Sequence, residues 1–260
     1  MTGPAPEPPG REAVGRLFDE YGPLVYALGL RMCDTPEAAE DLVQETFLRA
    51  LSSWEGFEGR SKPSTWLYTI ATRTCQRMRR RRAGEPRRLE PIERLLPSGD
   101  EGVVQVPSGD DPSERAALTE AVRAAVSVLP LDFRLPFVLK EVLEFKVSEI
   151  AEILGVRENT VKTRLHRARL KVRSAVAGAL PRRPGEPADH SREECLLLLA
   201  AKQESLDRDA RFPVPDEELC GRCRSVFATL DLGRDICRSL RTGEELPEAV
   251  RERVRRALEE

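Results

Sequence analysis

Aromatic residues make up only 5% of the 260 residues, and histidine occurs just twice, as His166 and His190. So few aromatics disfavour a β sandwich and suit packed helices. Two separated histidines leave no H-E-x-x-H metalloprotease motif. The chain also lacks a glycine-rich phosphate loop and a G-x-S-x-G nucleophile turn, so an enzyme is not expected. No apolar run approaches the roughly 20 residues needed to span a bilayer. The opening MTGPAPEPPG has neither the basic nor the apolar region of a signal peptide and reads as a disordered tail. A cytoplasmic protein without membrane insertion is the expectation. Its six cysteines are then thiols or metal ligands rather than disulfides.

A net charge of −2 predicts no bulk attraction to a polyanion. Its distribution does. Arg73, Arg77, Arg79, Arg80, Arg81, Arg82, Arg87 and Arg88 crowd one stretch, and Arg157, Lys162, Arg164, Arg167, Arg169, Lys171 and Arg173 another. Local fields, not the sum, decide whether nucleic acid docks. Proline- and glycine-rich breaks divide the chain. Residues 1–10 form the tail, 11–82 a helical unit, 83–112 a flexible linker, 113–180 a second helical unit, 181–187 a short break and 188–260 a third helical segment. The expected fold is all-α: two small helical domains on a flexible tether, plus a small helical domain at the end.

In the first unit, Ala39, Leu42, Val43, Phe47, Ala50 and Leu51 have the spacing of a buried helix face. Asp41, Gln44, Glu45 and Leu48 lie opposite, an acidic and amide-bearing face suited to a basic protein surface or simply to water. Gly56, Gly59 and Pro63 mark a loop, with Ser64 as a candidate cap for the next helix and Trp66 as a candidate core residue. Arg73, Arg77 and Arg80 lie near the end of that helix, where clustered arginine binds phosphates or simply keeps the protein soluble. The loop residues Arg60, Ser61 and Lys62 could hold an extruded base. Cys33 and Cys75 read as small packing residues.

The second unit contains a short amphipathic helix, VSEIAEIL, then Gly155 as the stop, then a basic helix beginning RENTVKTRLHRARLKVR. Val161, Leu165, Ala168 and Val172 point inward. Thr160, Arg164, Arg167 and Lys171 form the outward stripe, flanked by Arg157, Asn159, Lys162 and Thr163. A helix-turn-helix of this kind places asparagine and arginine where adenine and guanine edges can be read, and later cations near phosphates. A plain helical hairpin would share the spacing but not the glycine and charge pattern together.

AEDLVQETFLRA (39–50), STWLYTIA (64–71) with its arginine run, and IAEILGVRENTVKTRLHRARLKVR (150–173) occur in one order. Together they resemble the extracytoplasmic-function subfamily of bacterial RNA polymerase sigma factors. The resemblance covers 11–82 (region 2) and 113–180 (region 4). It implies a non-enzymatic subunit that needs no cofactor and has core RNA polymerase and promoter DNA as partners. It also implies that Asp41, Gln44, Glu45 and Leu48 dock on the polymerase clamp, that 56–82 capture and melt the minus-ten element, and that 158–171 read the minus-thirty-five element. The linker in such proteins threads toward the RNA exit path, so Asp100, Glu101, Asp110 and Asp111 are candidates to mimic RNA charge. Two departures stand out. Arg73 and Arg77 replace residues that are often Asn and Asp, and Arg157 stands where a capping serine is common.

The last segment carries Cys195 and a C-x-x-C pair, Cys220 and Cys223, a spacing that fits zinc ligation as well as free thiols. Together with LPEAVRERVRRAL (246–258) it resembles the zinc-binding domain of anti-sigma proteins. Those have a histidine four positions before C-x-x-C, where this chain has Asp216. The fourth ligand is open among Asp216, His190 and Cys237. A structural or regulatory zinc and a fused regulatory role are the expectations this resemblance adds, while the existence of a separate anti-sigma partner stays open. A free-standing repressor would leave 39–51 unexplained, and a zinc-dependent interaction protein would explain only the last segment.

Overall fold

A computed structural model describes residues 10–33, 35–79, 89, 103–105, 111–184, 190–241 and 245–259. Its helices are α1 (Gly10–Met32), α2 (Pro36–Ser53), α3 (Pro63–Arg79), α4 (Pro112–Ser127), α5 (Leu131–Phe137), α6 (Val147–Leu154), α7 (Glu158–Gly178), α8 (Arg192–Asp207), α9 (Gly221–Ser239) and α10 (Glu248–Glu259). The fold is all-α, as the composition implied. Among the described residues, strand structure is confined to β1 (Val103–Val104) and β2 (Arg182–Arg183), a short antiparallel pair with no alternating pattern to announce it.

The chain gathers into two compact units. The first draws on residues 1–84, 152–155 and 241–260, the second on 85–151 and 156–240. The residues after 188 are therefore shared between them: α8 and α9 belong to the second unit and α10 to the first.

In the first unit α2 begins at Thr35, whose hydroxyl accepts from the Ala38 N–H at 3.2 Å, with Pro36 at the first helical position. Ala39, Leu42, Val43, Phe47 and Ala50 are buried as their spacing predicts. Phe47 meets Phe18 of α1 edge to face at 4.9 Å. Gly29 of α1 admits the close approach of α2, since a Cβ there would lie 2.8 Å from that of Ala39. Tyr68 and Leu67 of α3 complete this core. Val250, Val254 and Leu258 of α10 are buried where that helix packs on α1 and α2. Its outer arginines reach Asp19 (Arg255, 2.9 Å) and Glu40 (Arg253, 3.5 Å).

In the second unit α7 is the central helix, with α4, α5 and α9 against it. Its stripe Val161, Leu165, Ala168 and Val172 is buried, as the periodicity predicts. Between α5 and α6 the chain widens into a π turn, Val138–Val142, closed by Leu143 N–H to the Val138 carbonyl at 3.1 Å. That turn turns Lys140 and Glu141 inward, and both are buried.

Candidate nucleic-acid interface and metal centre

The helix-turn-helix forms as its glycine predicts. Glu149 accepts from the Lys146 N–H at 3.0 Å and fixes the start of α6. Gly155 takes φ +65°, and Val156 N–H returns to the Ala151 carbonyl at 3.0 Å. Arg157 occupies the N-cap of α7 without a side-chain cap bond, the looseness expected where serine is replaced. Arg157, Asn159 and Thr163 are exposed, while Thr160, Lys162, Arg164 and Arg167 are half-buried. The first turn of α7 is thus presented to the outside.

Farther along α7 the chain's own groups take the cations. Lys162 Nζ lies 3.1 and 3.2 Å from the two carboxylate oxygens of Glu204 on α8. Arg164 is 3.7 Å from Asp132. Arg167 donates to the Leu89 carbonyl at 3.3 Å and stacks on the Phe133 ring at 5.1 Å. Arg169, part of the basic run in sequence, is only 4% exposed and faces inward. It bonds Glu141 at 2.7 Å, Asp207 of α8 at 2.6 Å and the Gln203 side chain at 3.1 Å. Burial works against its charge, but Glu141 and Asp207 outweigh that and hold it as a cation. Neighbouring Arg234 of α9 pairs with Glu141 at 3.6 Å and with Asp209, which also binds the buried Lys140 at 2.6 Å. Arg173 is buried too and donates to Thr229 of α9 at 3.3 Å. The face Lys162, His166, Arg169, Arg173 therefore receives α8 and α9. His166 itself is shifted toward neutrality, by burial first and then by Arg169.

In the first unit Asp41, Gln44, Glu45 and Leu48 line one groove of about 330 Å³ together with Arg77 and Met78. Arg77, which sequence reasoning grouped with the DNA-binding arginines, thus stands beside the acidic face, 3.3 Å from Glu45. Glu45 also holds Arg49 at 2.7 Å. Arg73 is exposed on α3. The loop before α3 turns at Gly59 (φ +67°), with Arg60 exposed and paired to Glu58 at 2.6 Å, Ser61 half-buried and Lys62 exposed. Ser64 is not the cap: α3 already begins at Pro63, and Ser64 hydrogen-bonds Tyr21. Trp66 is half-buried rather than core, tilted against Phe57 at 5.0 Å and edge to face with Trp54 at 5.7 Å. Arg80, Asp100, Glu101 and Asp110 lie outside the described residues. Asp111 serves as the N-cap of α4, accepting from Ser113 N–H at 2.8 Å.

Three predicted ligands do converge. One donor atom from each of Cys195, Cys220, Cys223 and His190 falls in a group whose members all lie within 4.8 Å of one another. Sulfurs around a tetrahedral zinc sit roughly 3.8 Å apart, so this set fits the ion with small side-chain shifts. His190 brings one ring nitrogen to the group, and its Nδ1 is buried without a hydrogen-bond partner. Asp216 is exposed in a separate turn, and Cys237, also outside the cluster, is buried near the far end of α9. The signal that could have singled out His190 is the capping box Ser191–Glu194, with bonds of 3.2 and 2.7 Å. It sets the N-cap of α8 one residue after the histidine and puts Cys195 in the first turn. Cys220 caps α9, its sulfur accepting from Cys223 N–H at 3.5 Å. Burial pushes the Cys220 thiol up, yet bonds from Cys223, His190 and Cys195 outweigh it and bring it down to about 7. Cys195 and Cys223 are pushed up, chiefly by burial.

A helix-turn-helix with an exposed first turn, an arginine-bearing helix and an acidic groove give an all-α protein of the class that carries a helix-turn-helix. Comparison with known proteins identifies the family. Sequence models of Sigma-70 region 2 and of Sigma-70, region 4 match residues 17–85 and 119–172. The ECF RNA polymerase sigma factor SigW of Bacillus subtilis (strain 168) is 33% identical over 171 residues, covering 63% of this chain and 88% of that protein. The ECF RNA polymerase sigma factor SigG of Mycobacterium tuberculosis (strain CDC 1551 / Oshkosh) is 34% identical over 206 residues, covering 69% of this chain and 52% of that protein. A solved complex of the sigma factor RpoE with the anti-sigma factor NepR from Bartonella quintana is similar at a TM-score of 0.45 and 22% identity, covering 64% of this chain and 97% of that one. The chain belongs to the ECF RNA polymerase sigma factor family. It is a sigma factor: it binds core RNA polymerase and directs promoter recognition in transcription initiation. Sigma factors as a family are regulatory DNA-recognition subunits. Among the described residues no helix is long and apolar enough to cross a membrane.

Proposed function

We propose that this cytoplasmic sigma factor divides its work as the motifs suggest and carries its own regulator. Residues 11–82 act as region 2, with Asp41, Gln44, Glu45 and Leu48 on the polymerase clamp. Arg60, Ser61, Lys62, Arg73, Arg77 and Arg80 act at the minus-ten element. Residues 113–180 act as region 4, with Arg157, Asn159, Thr160, Lys162, Thr163, Arg164 and Arg167 at the minus-thirty-five element. Residues 83–112 and 181–187 link these parts.

Residues 188–260 form the regulatory extension, which plays in cis the part an anti-sigma factor plays in trans. One observation carries this: Lys162 is held by both oxygens of Glu204, the contact a DNA phosphate would otherwise make. His190, Cys195, Cys220 and Cys223 are the residues that would hold zinc. Bound there, the ion supplies a rigid cross-link between the starts of α8 and α9. Asp207 and Gln203, farther along α8, grip Arg169, so the anchorage of α8 decides how firmly Glu204 is held on the reading helix.

The test uses the full chain. Cobalt substitution should give a tetrahedral thiolate spectrum at one ion per chain, lost in Cys220→Ser and in His190→Ala. Cys220→Ser should then bind a minus-thirty-five duplex more tightly, by roughly three- to tenfold, since a charge-assisted contact is released. A wild-type chain that takes up no cobalt, or a variant with unchanged DNA affinity, contradicts the reading.

A further inference from the structure

The described pieces of the linker are not free of the second unit. Val103 and Val104 pair antiparallel with Arg183 and Arg182, just beyond the end of α7. Gln105 N–H donates to the Pro181 carbonyl at 2.9 Å. Val104 N–H donates to the Ser225 hydroxyl of α9 at 2.9 Å, and the Val104 side chain is 5% exposed. The receiving edge is held from behind: the Arg182 guanidinium bonds the Ala177 carbonyl at 3.3 and 3.4 Å, which ties β2 to the last turn of α7. A second anchor lies upstream, where the buried Leu89 gives its carbonyl to Arg167 on the reading helix.

We propose that the second unit carries a strand-binding edge, built from β2 and Ser225, whose ligand is the chain's own linker segment Val103–Gln105, and that polymerase must draw the linker off it. Main-chain hydrogen bonds supply the affinity and the buried Val104 the register, as in strand addition generally. Three residues make a weak ligand, which suits a segment that has to be released. Ser225 lies on α9, so the extension contributes to this edge directly. The release step rests on the reading that the linker enters the polymerase. The holding step does not.

Gln105→Pro removes the N–H that bonds Pro181 at a position whose side chain is exposed, so the fold is spared. Gln105→Ala keeps the N–H and serves as the matched control. Amide exchange on the full-length protein alone should show Val104 protected about tenfold or more in wild type and Gln105→Ala, and unprotected in Gln105→Pro. Core polymerase should bind Gln105→Pro about three- to tenfold more tightly than wild type. An unprotected Val104 amide in wild type overturns the strand-binding edge. Protection with equal core affinity in all three proteins overturns the release step. Loss of core binding by all three would instead count against the sigma-factor reading, while the exchange ratio still decides the edge.

Discussion

The acidic groove of the first unit and the basic helix of the second differ in what stands on them. In the first unit, α10 bonds Glu40 and Asp19 and packs its apolar face on α1 and α2, while Asp41 remains exposed in a groove with Gln44, Glu45 and Leu48. In the second unit, the cations of α7 are largely met by other parts of the same chain: Lys162 by Glu204, Arg167 by Leu89, Arg169 by Glu141 and Asp207. Arg157 and Asn159 at the start of α7, and Thr163 one turn on, are exposed. On the acidic face Glu45 is met by Arg77 and Arg49 of the same chain, whereas on α7 the partners come from the elements packed around it, Glu204 and Asp207 of α8 among them.

The sharpest test of that contrast is Arg169→Met. It leaves Glu141 and Asp207 buried without their cation, and should cost about 3–5 kcal/mol in denaturant unfolding of the full chain. A cost under roughly 1 kcal/mol would mean the network does not hold α8 to α7. Next, Asp41→Arg with Glu45→Arg should weaken core polymerase binding by roughly 100-fold, through like-charge contact, with an unchanged circular dichroism spectrum. Retained binding would remove the groove as the docking face. Arg164→Ala should lose about 1–3 kcal/mol of promoter binding at one base position if the guanidinium reads a base. A loss spread evenly over all sequences, with a flatter salt dependence, would assign it to phosphate instead. Glu204→Gln should have the smallest effect, raising affinity for a minus-thirty-five duplex by up to about fivefold, because half-exposed ion pairs contribute little. A fall in affinity would reverse the competition inferred between Glu204 and DNA.

Much of the fold was legible because its signals are local. The spacing of Leu42, Val43 and Phe47 and the glycine at 155 each act within a turn or two of chain. The metal cluster was half legible. The C-x-x-C pair is local, and the capping box beside His190 is local as well, but choosing His190 over Asp216 required knowing that the starts of α8 and α9 meet. Trp66 shows the opposite failure. Its helical spacing suggested core, yet it ended half-exposed among Trp54 and Phe57, since periodicity reports a face and not how deeply that face is covered.

Arg169 marks the boundary most clearly. By itself the sequence determined that α7 is a basic amphipathic helix behind a glycine turn, because backbone geometry and the helical period act over a few residues. Its period assigned Arg164, Arg167 and Lys171 to an outward stripe, but it could not say that Arg169 would be buried or what would hold it there. That was decided by the π turn that brings Glu141 inward and by the end of α8 that delivers Asp207, two carboxylates 28 and 38 residues away in sequence that meet one guanidinium only in the folded chain. Burying a charge is tolerable only where its partners are already in place, and tertiary packing alone puts them there.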